Sequence, residues 1–321
     1  MPYKNIAQMA SKVDIKEQFK APVAVLGCGL IGSSWVALFL HHGINVQAWD
    51  PDASARKALV DRIKVPMSQL ESMNQEAVMP GVLTIYSEIS QALENVFFAQ
   101  ENVPEIISTK KDVFRSFERY ADPNALIASS ASGLRWSVLS EGMQRPEQLL
   151  TAHPFNPLHL IPLVEIYCPA SKILDFAETL YRKIGRVPVR LKREATGHIA
   201  NRLASALWRE AVNIVAEDIA DVEAVDLALV NGPGLRWALM GAHMTYHLGG
   251  GEGGMESYLS HLGASQEERW ADLGTPALTP EVCEALISGT KTQSDGRSQQ
   301  DLREARDAGL MRILEVRNET Y

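Results

Sequence analysis

The chain has 321 residues, a length that suggests about two domains, with 46% hydrophobic and 22% charged residues and a net charge of -8. That acidic balance, with no run of Lys or Arg interleaved with aromatics, excludes the basic footprint of a nucleic-acid-binding protein. No apolar run approaches the roughly 18 residues needed to span a bilayer, and Cys28, Cys168 and Cys283 are odd in number and lack metal-ligand spacing. The expectation is a reduced, cytoplasmic protein without metal, membrane or nucleic-acid partner.

Residues 1–20 lack the apolar core of a signal peptide, and Ile6, Met9 and Val13 read either as one face of a short helix or as a frayed extension. Residues 1–21 are therefore set apart as an N-terminal extension. An apolar run at Val23–Leu26 stops at Gly27-Cys28-Gly29-Leu30-Ile31-Gly32. A helical pattern follows through Trp35, Leu38 and Phe39 to Gly43, and a second strand-like run, 44–49, ends in Asp50. Strand, glycine turn, helix, strand and acid form the context in which G-x-G-x-x-G means dinucleotide binding. Gly27 makes the tight turn, Gly29 lets backbone approach a pyrophosphate, and Gly32 lets the helix pack on the strand. The helix start at Leu30 and Ile31 offers unpaired N–H groups to the phosphates. Asp50 is spaced to accept from the adenosine ribose hydroxyls and to repel a 2′-phosphate, which favours NAD over NADP.

Residues 53–80 read as helical with breaks at Pro66 and Pro80, and strands are expected at 83–86 and 96–99. AQENVPEIISTK, 99–110, then enters a helix that ends near Arg119. Glu105 and Lys110 read two ways, as cofactor contacts at a strand end or as solvated charges on a helix surface. A strand at 125–128 runs into Ser129-Ser130-Ala131-Ser132-Gly133, whose hydroxyls would serve a ligand or cap a helix beginning near Trp136. No G-x-S-x-G elbow surrounds these serines. Next comes TAHPFNPLHLIPLVE, 151–165, with His153 and Glu165 each on or beside a strand. Pro154, Pro157 and Pro162 exclude a helix interior. An imidazole held against a carboxylate is a usable general base; the other reading is a surface loop whose His and Glu never meet.

A helix at 171–184 and a strand at 187–192 follow. From Thr196 the texture turns helical, with helices expected at 198–219, 222–230, 236–247, 253–262, 280–288 and 298–316. The glycine run 249–254 follows a helix rather than a strand, so it reads as a flexible or tightly packed turn. The domain boundary is placed near 193–197.

GCGLIG with Asp50, ENVPE with Lys110, SSAS, HPFNP with Glu165 and GHIANRL together resemble the 3-hydroxyacyl-CoA dehydrogenase family, over nearly the whole chain from about residue 22. The resemblance implies an α/β fold: a Rossmann-type, mostly parallel sheet domain at 22–195 that binds NAD, then an all-helical domain at 196–321 that contributes to substrate binding and forms a homodimer. It implies that His153 is the catalytic base, Glu165 its carboxylate partner, and Ser132 a contact to substrate and nicotinamide ribose. Asn201 matches the asparagine of the family's G-F-I-V-N-R-L run, and Glu105 and Lys110 fall on cofactor-binding positions. Ser130 departs from the family, standing where many members have asparagine.

Acyl-CoA members carry a long, lysine-bearing hairpin after the second strand, and the segment between Asp50 and Glu105 is shorter, with few basic residues. The chain is thus similar to the branch holding L-carnitine dehydrogenase and L-gulonate 3-dehydrogenase (lambda-crystallin), and GLRWA with GGEGG resembles the carnitine side. The implied reaction is NAD-dependent oxidation of a small 3-hydroxy acid, L-carnitine to 3-dehydrocarnitine. The alternatives are L-gulonate, a 3-hydroxyacyl-CoA, or a crystallin-like structural role without catalysis. A quaternary ammonium makes no hydrogen bond and prefers aromatic faces. Arg236 is the candidate carboxylate clamp, and Trp237, Tyr246 and Trp270 are candidate cage walls; Trp237 and Tyr246, at helical spacing, also fit a core.

Overall fold

The chain divides into two compact units, the first ending at Arg202 and the second beginning at Leu203. The computed structural model describes residues 21–73 and 79–320; the reading of residues 1–20 lies outside them. In the first unit the elements run β1 (Val23–Leu26), α1 (Leu30–His41), β2 (Val46–Trp49), α2 (Ala53–Arg62), α3 (Lys64–Met73), β3 (Leu83–Tyr86) and α4 (Ile89–Ala92). They continue with β4 (Phe98–Glu101), α5 (Ile107–Tyr120), β5 (Leu126–Ser129), α6 (Trp136–Leu139), β6 (Leu149–Pro154), β7 (Leu163–Tyr167), α7 (Ser171–Lys183) and β8 (Val187–Arg190).

The strands form one sheet in the order β3-β2-β1-β4-β5-β6-β7-β8. Every neighbouring pair is parallel except β6 and β7. β1 lies between β2 and β4, so the winding reverses there and opens a crevice at the carboxyl ends of those strands, where such sheets bind ligands. β1 also explains how the sheet is covered. Val23 and Val25 pack with Trp35, Leu38 and Phe39 of α1, whereas Ala24 and Leu26 pack with Val113, Phe114 and Phe117 of α5. A strand buried on both faces reads as a continuous apolar run, which is what VAVL is.

Several boundaries differ from the sequence reading. β4 and β5 extend further toward their carboxyl ends than expected, because Gln100, Glu101 and Ser129 are polar yet fully buried. Each finds an internal partner, so polarity does not end the strand there. The break expected at Pro66 falls three residues earlier, at Ile63 between α2 and α3, which leaves Pro66 in the first turn of α3, where its missing N–H is tolerated.

The second unit is helical, entered through α8 (Ala200–Ala216), which begins in the first unit. It continues with α9 (Val222–Asn231), α10 (Pro233–Leu239), α11 (Ala242–Gly249), α12 (Gly254–Asp272), α13 (Pro280–Ser294) and α14 (Gln299–Thr320). The single helix expected at 236–247 is two helices. Met240 is extended (φ -142°, ψ 152°) and Gly241 starts the next helix. The glycine run is a tight turn in which a Cβ on Gly250 would overlap the Gly254 carbonyl. Among the described residues no helix is long and apolar enough to cross a membrane.

Candidate active site

β6 and β7 pair antiparallel with His153 directly opposite Glu165, so the two side chains rise from the same face of the sheet. Glu165 Oε2 lies 2.9 Å from His153 Nδ1, and both residues are buried. A carboxylate can only accept, so Nδ1 carries the proton and Nε2 keeps its lone pair. The other oxygen, Oε1, accepts the backbone N–H groups of Ile199 (2.7 Å) and Ala200 (2.9 Å) at the start of α8. Burial pushes the Glu165 carboxyl up, but the bonds from His153 and from these two amides outweigh it and hold the group below its ordinary value. The carboxylate is therefore ionised and fully engaged.

Two consecutive left-handed residues, Gly197 (φ +75°) and His198 (φ +50°), aim those amides. The same turn sets Asn201 one residue further on, half-buried and with its side-chain amide unengaged among the described residues. The His198 ring lies 4.9 Å from that of His153, inclined by 31°, and its Nε2 is 3.1 Å from the Ala131 carbonyl oxygen. Sequence reasoning missed His198. The signal was GHIANRL itself, with a histidine where the family run has phenylalanine.

The serine cluster neither caps a helix nor stands free. Ser129 donates to Glu101 and Ser130 to Asn102, and the first turn of α6 is capped instead by Glu194, which accepts the Ser137 N–H (2.9 Å). Ser132 Oγ donates to Glu105 Oε2 (2.5 Å), and the same carboxylate accepts the N–H groups of Ser132, Gly133 and Leu134. Burial raises the Glu105 carboxyl and these four donors bring it below its ordinary value. Glu105 thus clamps the loop that carries Ser132 while staying exposed, so it is more than the solvated charge considered from the sequence.

Lys110 is not the solvated charge that one of its readings allowed. Its ammonium is buried, donating to Glu101 Oε1 (2.7 Å) and to the Val103 carbonyl (3.1 Å). The physical reason lies in α5, whose buried face is Lys110, Val113, Phe114 and Phe117. That is a helical stripe with the lysine at its head.

The glycine turn fits a dinucleotide. Gly27 has φ +99°, and a Cβ there would come within 2.8 Å of the Asn102 backbone. A Cβ on Gly32 would overlap the Gly27 carbonyl oxygen, while beside Gly29 nothing lies within 4 Å. Leu30 is exposed, Ile31 half-buried, and no side chain caps the first turn of α1, so its amides suit an anion. Asp50, at the end of β2, is held by the N–H groups of Cys28 (2.7 Å, to Oδ2) and Asp52 (2.9 Å, to Oδ1). Each oxygen keeps a lone pair for a ribose hydroxyl. Arg56 and Arg62, which the sequence reading did not single out, donate to the carbonyls of Asp50 and Cys28 at this turn.

Residues 22–195 match the 3-hydroxyacyl-CoA dehydrogenase NAD binding domain, and residues 197–297 match the 3-hydroxyacyl-CoA dehydrogenase C-terminal domain. The chain belongs to the 3-hydroxyacyl-CoA dehydrogenase family. It is an NAD-dependent oxidoreductase acting on CH–OH groups. Among its relatives, the L-carnitine dehydrogenase of Bacillus cereus is 38% identical over 298 residues, 92% of this chain and 91% of that protein. The L-carnitine dehydrogenase of Pseudomonas putida is 38% identical over 300 residues, 91% of this chain and 92% of that protein. Among solved structures, FHMPC 5-dehydrogenase, an NAD+ dependent dismutase, is similar with a TM-score of 0.79 at 25% identity, over 92% of this chain and 98% of that one. The 3-hydroxybutyryl-CoA dehydrogenase of Escherichia coli K12 has a TM-score of 0.59 at 26% identity, over 71% of this chain and 49% of that one.

The residues considered for substrate binding all lie in the second unit of this family member. Arg236 and Trp237 are on α10, Tyr246 on α11 and Trp270 on α12. All four are exposed in the single chain. Tyr246 packs on Tyr258, with ring centroids 5.0 Å apart.

Proposed function

We propose that this enzyme oxidises L-carnitine to 3-dehydrocarnitine. The reading rests on one observation, that relatives matching over nine-tenths of both chains at 37–38% identity are L-carnitine dehydrogenases. The site chemistry suits a free secondary alcohol. NAD, when bound, supplies the hydride acceptor. His153 Nε2 takes the hydroxyl proton, because without that removal the product would be a protonated ketone, a poor species near neutral pH. Glu165 keeps the proton on Nδ1 and balances the imidazolium once it forms. Asn201 donates to the reacting oxygen. Ser132 has its hydrogen committed to Glu105, so it meets a ribose or substrate hydroxyl as an acceptor. Glu105, exposed beside that loop, is the proposed cofactor contact there.

Arg236 is the proposed clamp on the carnitine carboxylate, and Trp237, Tyr246 and Trp270 the walls for its trimethylammonium, each face worth about 0.5–2 kcal/mol. The second unit acts as part of a homodimer. Val212 and Tyr258 are its only buried hydrophobic side chains among the described residues, while Leu207, Trp208, Leu235, Leu259 and Trp270 are exposed.

The test is NAD reduction over L-carnitine, L-gulonate, 3-hydroxybutyrate and 3-hydroxybutyryl-CoA. L-carnitine is expected to have the highest kcat/KM; a higher value for the CoA ester or for gulonate rejects the substrate assignment. Replacing Trp237 with Leu is expected to raise KM for carnitine about 3- to 30-fold, from the loss of one cation–π face, and to leave uncharged 3-hydroxybutyrate unaffected.

A further inference from the structure

His198 is the buried group beside the base that the mechanism above does not use. It is 4% exposed, its ring packs on His153, and its Nε2 bonds the Ala131 carbonyl. We propose that His198 is a positioning residue: its Nε2–H ties the loop carrying Ser132 to the turn carrying Asn201, and its ring packs against that of His153. The inference rests on the roles given above to His153, Ser132 and Asn201.

Ala131 sits between Ser130 and Ser132, so a bond to its carbonyl sets the height of the Ser132 hydroxyl. The histidine that makes this bond also occupies the left-handed position (φ +50°) from which the Ile199 and Ala200 amides reach Glu165. One residue therefore touches the base, bonds the loop that carries Ser132, and lies in the turn that carries Asn201 and the two amides on Glu165. Donation to a carbonyl fixes the Nε2–H tautomer and leaves Nδ1 bare, and that buried nitrogen has no partner among the described residues. An open buried acceptor destabilises a fold, so a ring needed only to fill this space would serve better as phenylalanine. The gain from histidine is the donor. Burial, foremost, and the neighbouring His153 keep His198 below the ordinary histidine value, so the ring stays neutral and does not compete with the base for a proton.

Two variants separate donor from ring. His198→Phe keeps the ring and removes the donor; His198→Gln removes the ring and keeps an N–H at similar reach. For His198→Phe, kcat is expected to fall about 10- to 100-fold, the scale of a misplaced site, with KM for NAD within about 2-fold and an unchanged or higher melting temperature. His198→Gln is expected to recover most of that kcat. Hydrogen exchange gives a readout free of turnover: amides 132–134 exchange faster in the Phe variant and near normally in the Gln variant. Equal loss in both variants, a kcat for Phe within 2-fold of the parent, or faster exchange throughout the chain would each overturn the proposal. If the Phe variant does not fold, nitrogen-15 spectra of the unaltered protein decide, since a His198 without an Nε2-bound proton also overturns it. A parent enzyme that turns over no hydroxy acid sinks the proposed function instead, and leaves the exchange and tautomer measurements standing.

Discussion

A histidine becomes a directional base when its second nitrogen is committed, and His153 meets that condition through Glu165, whose own second oxygen is held by two backbone amides. His153→Gln is accordingly expected to lower kcat by about 10²–10⁴-fold while NADH binding, read by fluorescence titration, stays within a few-fold. Titrating groups in the site and at the end of α1 also predict how stability follows pH. Glu165 and Glu105 sit below their ordinary carboxylate values, so their contribution is present above about pH 4.5 and is lost as pH falls through their folded values. His41, His42 and His198 sit below the ordinary histidine value of 6.5, chiefly through burial, so the unfolded chain takes up their protons first. Stability is then complete above about pH 6.5 and erodes below it. Both sets act in one direction. The urea midpoint should be flat above about pH 7 and fall steadily from 6.5 to 4; a midpoint rising on acidification would reject the assignment. At this scale the glycine turn, Asp50, His153 and Glu165 were legible because strand ends concentrate such chemistry. The burial of Lys110 was not, because a lysine among polar residues reads as a solvated charge, and His198 was not, because Ala131 and His153 are far from it in sequence.

Among the elements, long apolar runs gave their identities and buried polar residues hid their ends. β4 was read two residues short because Gln100 and Glu101 look like the start of a loop, yet both are sealed inside by Ser130, Tyr181, Ser129 and Lys110. The clue to Lys110 was its place three, four and seven residues ahead of Val113, Phe114 and Phe117. A buried ion pair broken on one side leaves an uncompensated charge. Lys110→Met is expected to cost about 3–5 kcal/mol at pH 7 by urea denaturation. The deficit should shrink as pH falls and the stranded Glu101 carboxyl takes up a proton; an equal deficit at pH 7 and pH 5 would argue for lost packing instead. The division between α10 and α11 was invisible because the apolar periodicity runs on through Met240 and Gly241, and only the extended backbone at Met240 reveals it.

For the whole molecule, the second unit is expected to fold together with a second copy. Sedimentation at micromolar concentration should give a dimer whose urea midpoint rises with protein concentration; a stable monomer with a concentration-independent midpoint would refute it. The first unit ends at Arg202, seven residues beyond the match to the NAD-binding domain, and those seven include His198 and the amides of Ile199 and Ala200. The site is thus not modular at the place where the sequence divides. A fragment cut at residue 195 would retain the glycine turn, Ser132, His153 and Glu165, yet lose the clamp on the carboxylate and the ring against the base. Any chimera that exchanges the helical half between relatives has to join beyond Arg202, within α8. A splice at 195 transplants half of the donor's catalytic scaffold along with its substrate preference.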